Sequence, residues 1–293
     1  MSFTGDIKTE LCRLSVQSNC CMLAECLGML LYANQFTIQR IRLQSESAAV
    51  RKRIAQLFVQ VFDIQLQRQE NSLEVTDPEE IQRVYDAFGY AYKNGPLQLN
   101  RAMVEDDCCK NAFLRGAFLL GGYVSTPEKG YHLELVTPHY HIARQVSALL
   151  LDMEMPAGTV MRRGNYVLYY KDSVAIEDFL SATGATGAAM TLMLKKVERD
   201  LRNKVNRKVN CETANLSKTV EAAAKQIAAI ETIKQAGTYD TLPANLKIAA
   251  EMRLQHPDLS LSELCPLFDP PLSRPGVNNR MRKLIQIAEE LKQ

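Results

Sequence analysis

Ile7, Leu11 and Leu14 recur at helical spacing and predict an opening helix over about 4–16, with Thr4 as its cap. The next run is apolar almost throughout and predicts a helix over about 20–33. Phe36, Ile38, Ile41 and Leu43 then mark a short hairpin. Val50, Ile54, Leu57, Phe58 and Val61 line one face of a helix over 46–62, followed by a hairpin over 63–76 that turns near Glu70-Asn71. A helix over 78–92 carries Ile81, Val84, Tyr85 and Phe88. The same order then returns. A helix spans about 108–120, a hairpin holds Tyr123, Val124, Leu133 and Leu135, and a helix spans 139–151. A hairpin over 154–171 turns at Arg163-Gly164-Asn165, and a helix over 173–182 is ended by Gly184. Each half reads αββαββα. From Gly187 the strand signal stops: 187–236 predicts long helical segments interrupted around Asn206–Asn215, and three helices follow at about 243–255, 261–267 and 275–291.

The return of the pattern is an internal repeat. Residues 20–37 (CCMLAECLGMLLYANQFT) and 108–125 (CCKNAFLRGAFLLGGYVS) agree at Cys20/Cys108, Cys21/Cys109, Ala24/Ala112, Gly28/Gly116 and Leu31/Leu119. Those are five identities in eighteen, where chance gives about one. A glycine inside an apolar helix costs about 1 kcal/mol against alanine. Its expected compensation is close approach of two helix backbones at Gly28 and Gly116.

The chain has 293 residues, 46% apolar and 23% charged, enough for about two domains with substantial cores. No apolar run is long enough to span a bilayer and no secretory pattern opens the chain, so a cytoplasmic protein without a membrane partner is expected. The eight cysteines lack the spaced pairs of structural zinc sites, and the adjacent pairs read as small buried residues at helix starts; no metal or cofactor is expected. Net charge is only +2, but its distribution is uneven. Lys195, Lys196, Arg199, Arg202, Lys204, Arg207 and Lys208 face only Glu198 and Asp200, and the stretch from Arg274 onward is also basic. Basic charge gathered late in the chain points to nucleic acid.

Two stretches could carry that chemistry. In 197–218, bases and asparagines interleave, and Arg202, Asn203, Asn206, Arg207 and Asn210 are candidate contacts to phosphate and base edges. The alternative there is a solvated linker helix. In the last 50 residues, Leu259, Leu261, Leu264 and Phe268 make an apolar face, Ser260 or Ser262 caps the helix, and Asp269-Pro270-Pro271 stops it. Ser273 caps the final helix with Pro275 in its first turn. Val277, Met281, Leu284, Ala288 and Leu291 form the buried stripe; Arg274, Asn278, Asn279, Arg280, Arg282 and Lys283 lie outside it. A major-groove recognition helix needs this arrangement: arginine pairs with guanine, asparagine with adenine, and lysine with phosphate.

The repeat and its αββαββα order resemble the LAGLIDADG homing-endonuclease module, in which two helices pack at glycines and each ends in a metal-binding aspartate. On this alignment Gly116 is the packing glycine, and the aspartate positions fall on Ala33 and Gly121. Neither can hold the ions that two-metal phosphodiester hydrolysis requires. Glu25 and Glu128 are the acids near the two motifs. Over its full length the chain resembles the WhiA family of bacterial regulators, through LRGAFLLGGYVS (114–125), RDLRNKVNRKVNCETANLSKT (199–219) and SRPGVNNRMRKL (273–284). Asp269-Pro270-Pro271 and Asn34-Gln35 depart from the family's usual turns.

The expected fold is α+β: two tandem LAGLIDADG-like repeats (1–94 and 95–194), a basic helical linker (195–238) and an all-α helix-turn-helix domain (239–293). The resemblance implies a sequence-specific regulator of double-stranded DNA, nucleoid-associated, with nuclease chemistry lost. It further implies roles in cell division and chromosome segregation, or in sporulation in sporulating relatives, and another transcription regulator or division protein as partner. The alternatives are an interaction scaffold of the division machinery with weak DNA binding, and a metal-dependent endonuclease using unrecognised acids.

Overall fold

A computed structural model describes residues 2–15, 18–93 and 97–291. The chain divides into two units, Met1–Arg199 and Asp200–Gln293. The expected boundary between the repeats, at 94/95, lies outside the described residues.

The first unit has the element order that the pattern predicts, although its first and fourth helices end earlier than expected, at Cys12 rather than 16 and at Ala87 rather than 92. Helix α1 (Phe3–Cys12) leads into α2 (Asn19–Leu31), strands β1 (Gln35–Phe36) and β2 (Ile41–Gln44), α3 (Ala48–Phe62), β3 (Gln67–Arg68), β4 (Ser72–Val75) and α4 (Pro78–Ala87). The second repeat has α5 (Asp107–Gly121), β5 (Gly122–Val124), β6 (Leu133–Thr137), α6 (Tyr140–Asp152), β7 (Gly158–Arg162), β8 (Asn165–Tyr170) and α7 (Ser173–Thr183). Each repeat closes one four-stranded antiparallel sheet, ordered β1-β2-β4-β3 and β5-β6-β8-β7. The two sheets share one topology, as the repeat requires. Tight turns fall where the sequence places them. Arg163 and Gly164 both have positive φ between β7 and β8, and Gly184 ends α7 in the left-handed conformation.

The glycine-centred packing of α2 on α5 is the centre of this unit. A Cβ on Gly28 would lie 2.1 Å from the Phe113 carbonyl oxygen, and one on Gly116 would lie 2.1 Å from that of Glu25. Only glycine permits this approach. Both helices are buried nearly all round, with Leu27, Leu31, Phe113 and Phe118 in the core. Two expectations need correction. Ser2, not Thr4, caps α1 through the Gly5 N–H, while the Thr4 hydroxyl donates to the Val124 carbonyl. Adjacent cysteines are not uniformly buried either: Cys21 and Cys109 are, whereas Cys20 and Cys108 are exposed.

Helix α8 (Thr186–Gln235) runs without a break through Asn206–Asn215, contrary to the expected interruption. Asparagine's low helix propensity costs only tenths of a kcal/mol per residue, too little to break a helix flanked by good formers. In the second unit, Ala229, Ile230 and Ile233 of α8 pack with α9 (Ala244–Gln255), α10 (Leu261–Leu264) and α11 (Arg274–Glu290). Among the described residues no helix is long and apolar enough to cross a membrane.

Candidate nucleic-acid interface

Helix α10 is short and well capped. Ser260 accepts from the Glu263 N–H while Glu263 accepts from the Ser260 N–H, a reciprocal capping box; Ser262 is inside the helix. Hydrogen bonding with the Ser260 side chain, and then with its backbone N–H, holds the Glu263 carboxyl below its usual pKa. A single 3-10 turn (Cys265–Leu267) follows, and the Leu272 N–H returns to the Cys265 carbonyl at 3.1 Å. Ser273 then caps α11 through the Gly276 N–H at 3.3 Å, with Pro275 in the first turn. One buried cation supports this turn from below. Arg253 of α9 is 1% exposed and donates to the His256 and Leu259 carbonyls at 3.2 and 2.6 Å. It ties down the chain that leads into α10. Nothing in the sequence marks it, because a single arginine on a helix carries no sign of burial.

Val277, Met281, Leu284 and Ala288 of α11 are buried, while Leu291, expected with them, is 41% exposed at the helix end. Arg274, Asn278, Asn279, Arg282 and Lys283 are exposed, as is the capping Ser273. Asn278, Asn279, Arg282 and Lys283 lie at i, i+1, i+4 and i+5, on the side of the helix away from the buried stripe. Arg280 differs from them. It is half-buried, with its guanidinium 5.8 Å from the centre of the Phe268 ring, so part of its surface is committed to packing. Lys225 of α8, absent from the sequence candidates, joins Asn279, Arg282 and Lys283 in lining one cleft. Its ion pair with Glu289 spans 3.7 Å. Lys218 and Arg274 line a second cleft in the same unit. Their distance in sequence from α11 hid both lysines.

Along α8, Arg202, Asn203, Asn206, Arg207 and Asn210 are all exposed. Asn203, Asn206, Arg207 and Asn210 fall at i, i+3, i+4 and i+7, one face of the helix. The asparagines therefore present their amides sideways rather than capping helix ends. Leu201, Val205 and Val209 form an exposed apolar ridge on the opposite side of α8 from that face.

The other candidate chemistry lies at the C-terminal ends of α2 and α5. Ala33 is 3% exposed. At Gly121 even a Cβ would meet the Tyr32 ring at 2.3 Å and the Val136 carbonyl at 2.7 Å, so the position has no room for a carboxylate. A cavity of about 910 Å³ opens beside these residues, lined by Lys8, Tyr32, Ala33, Gly121 and Asn165 among others, and Glu46 is the acid in its lining. Glu25 does not serve as a substitute. It is fully buried and held by Arg53 at 2.9 and 3.0 Å and by Arg115 at 2.9 Å. Glu128 is exposed and 3.9 Å from Lys195.

Comparison with known proteins agrees with this geometry. Residues 110–202 match the family model of the WhiA LAGLIDADG-like domain, and residues 205–288 that of the WhiA C-terminal HTH domain. The chain is 38% identical to the "Probable cell division protein WhiA" of Ruminiclostridium cellulolyticum, covering 100% of this chain and 98% of that one. It is 34% identical to the protein of the same name from Clostridium botulinum, covering 100% and 99%. Among solved structures it is similar to full-length WhiA from Thermatoga maritima, with a TM-score of 0.60, 26% identity and 99% of each chain covered. Two LAGLIDADG-like repeats without the motif's carboxylates, followed by a helix-turn-helix, place this chain in the WhiA family.

Proposed function

We propose that the chain is a sequence-specific, non-enzymatic DNA-binding regulator in which α11 reads base edges in the major groove. The observation that carries this reading is the exposed face of α11, where Asn278, Asn279, Arg282 and Lys283 stand opposite the buried stripe. Arg282 and the two asparagines suit bidentate pairing with guanine and adenine; Ser273, Arg274, Lys283 and the helix N-terminus suit phosphate. Arg280 positions α11 through Phe268 as well as adding charge. Arg202, Asn203, Asn206, Arg207 and Asn210 of α8 form a second, backbone-contacting surface. On this reading 1–94 and 95–194 are the two repeats, 195–238 is the basic helical segment and 239–293 is the reader. The name of the relatives supports a role in cell division; chromosome segregation and a nucleoid-associated location in the cytoplasm belong to the same reading through binding to DNA.

The test is fluorescence anisotropy on genomic duplexes, followed by titration of the selected site. Arg282→Ala and Asn278→Ala should each weaken specific binding by about 1–3 kcal/mol, roughly 5- to 150-fold, and relax the preference at one base pair. Unchanged specific affinity in both variants would remove α11 from the recognition role.

A second reading rests on the exposed ridge of Leu201, Val205 and Val209, on the opposite side of α8 from its polar face. Exposed apolar side chains in a row suit a protein partner, such as another regulator or a division protein. Flat anisotropy on every duplex at low salt would favour that scaffold role.

A further inference from the structure

We propose that Cys20, Cys21, Cys108 and Cys109 bind one thiophilic divalent cation, zinc in the cell, between the first turns of α2 and α5. The four Sγ atoms all lie within 4.8 Å of one another, and those of Cys108 and Cys109 are 3.9 Å apart. A tetrahedral ion with Zn–S bonds of about 2.3 Å sets its sulfurs about 3.8 Å apart, so the cluster needs only a small contraction to close around one. Among the described residues this is the one group of three or more potential ligands close enough together to share an ion.

The repeat explains how four thiols meet. Cys20 and Cys21 occupy in α2 the positions that Cys108 and Cys109 occupy in α5. The parallel packing that seats Gly28 against Phe113 and Ala117, and Gly116 against Glu25 and Met29, also brings the two helix starts together. Two pairs 88 residues apart in sequence thus supply two ligands each, which no spacing rule applied to one segment could detect. Both helix N-termini direct partial positive charge at the sulfurs. Ser18 Oγ, 2.7 Å from Cys20 Sγ, is a ready hydrogen-bond partner for one of them. All four cysteines are free of disulfides. Cys21 and Cys109 are buried and Cys20 and Cys108 exposed, which leaves an entry path from solvent on one side. A four-cysteine shell has no open position for substrate, so the ion would be structural and would clamp the two repeats at the helix starts.

Full-length chain, reduced and freed of metal, would be titrated with Co2+ and then Zn2+. The expected result is one equivalent of cobalt, with intense tetrahedral d–d absorption and thiolate-to-metal charge transfer, displaced by one equivalent of zinc. Protein isolated without chelator should carry zinc at the same stoichiometry, and added zinc should raise its Tm. The double variant Cys20→Ser, Cys108→Ser alters only the two exposed ligands and should lose cobalt binding and the zinc-dependent rise in Tm. Its far-ultraviolet circular dichroism should be unchanged. The wild-type titration stands without the variant. Octahedral or absent cobalt spectra in the wild-type chain would overturn the proposal. So would an iron–sulfur chromophore in the isolated protein, or a disulfide in place of two of the four thiols under reducing conditions.

Discussion

At the scale of single residues, the clearest distinction is between acids that could act and acids that hold the structure. Glu25 sits one helix turn before Gly28, close to the family motif, and sequence alone leaves it open as a metal ligand. In the structure it accepts from both Arg53 and Arg115, which in turn donate to the Leu14 and Thr183 carbonyls at 2.6 and 3.0 Å. It therefore pairs with two guanidinium groups that link α2, α3, α5 and the ends of α1 and α7. Glu25→Ala leaves both buried cations uncompensated and should destabilise the first unit by about 3–5 kcal/mol, read by urea unfolding. Near-normal stability in that variant would mean the pair is hydrated and Glu25 is available for other chemistry. The arginines could not be identified as partners beforehand, because their positions 53 and 115 carry no pattern linking them to 25.

Among the elements, α2 and α5 show how much of the design is visible in a repeat. Helix propensity alone predicts that Gly28→Ala gains about 1 kcal/mol. Packing predicts the opposite sign: the new methyl would be 2.1 Å from the Phe113 carbonyl oxygen and 2.8 Å from the Ala117 nitrogen, both backbone atoms with nowhere to go. The helices would have to separate, and thermal or urea unfolding should show a loss of about 3 kcal/mol. A neutral or stabilising result would contradict the close approach. Helix α11 was almost fully legible because its cap, first-turn proline and buried stripe are all local signals. Only Leu291 broke from the stripe: it is the C-cap of the helix and 41% exposed. Helix α8 is continuous through Asn206–Asn215, where the sequence predicts an interruption. Asparagine is a mediocre helix former, but one face of an exposed helix tolerates it at small cost.

For the whole molecule, the expected signature is binding without cleavage. With Ala33 and Gly121 at the motif's carboxylate positions and no room for a side chain at Gly121, Mg2+ or Mn2+ should leave bound duplex intact. Affinity should fall steeply with salt, by about one power of ten in binding constant per tenfold salt for each phosphate neutralised. Nicking that required the divalent ion would overturn the non-enzymatic reading. A shallow salt slope would leave too few phosphate contacts for α8 and α11 to act together as the DNA surface.

What the sequence determined by itself was whatever depends on neighbours in the chain: the order of helices and strands, the duplicated half, the caps of α10 and α11, and the loss of two carboxylates. Periodicity, turn chemistry and motif spacing are local properties and are written in consecutive residues. Tertiary structure alone decided what depends on distance in space. It placed Glu25 between two arginines, Lys225 beside Arg282, and the Cys20-Cys21 and Cys108-Cys109 pairs against each other. Each of these joins residues far apart in the chain, brought together because burying the α2–α5 core and the second unit's own core leaves those side chains adjacent.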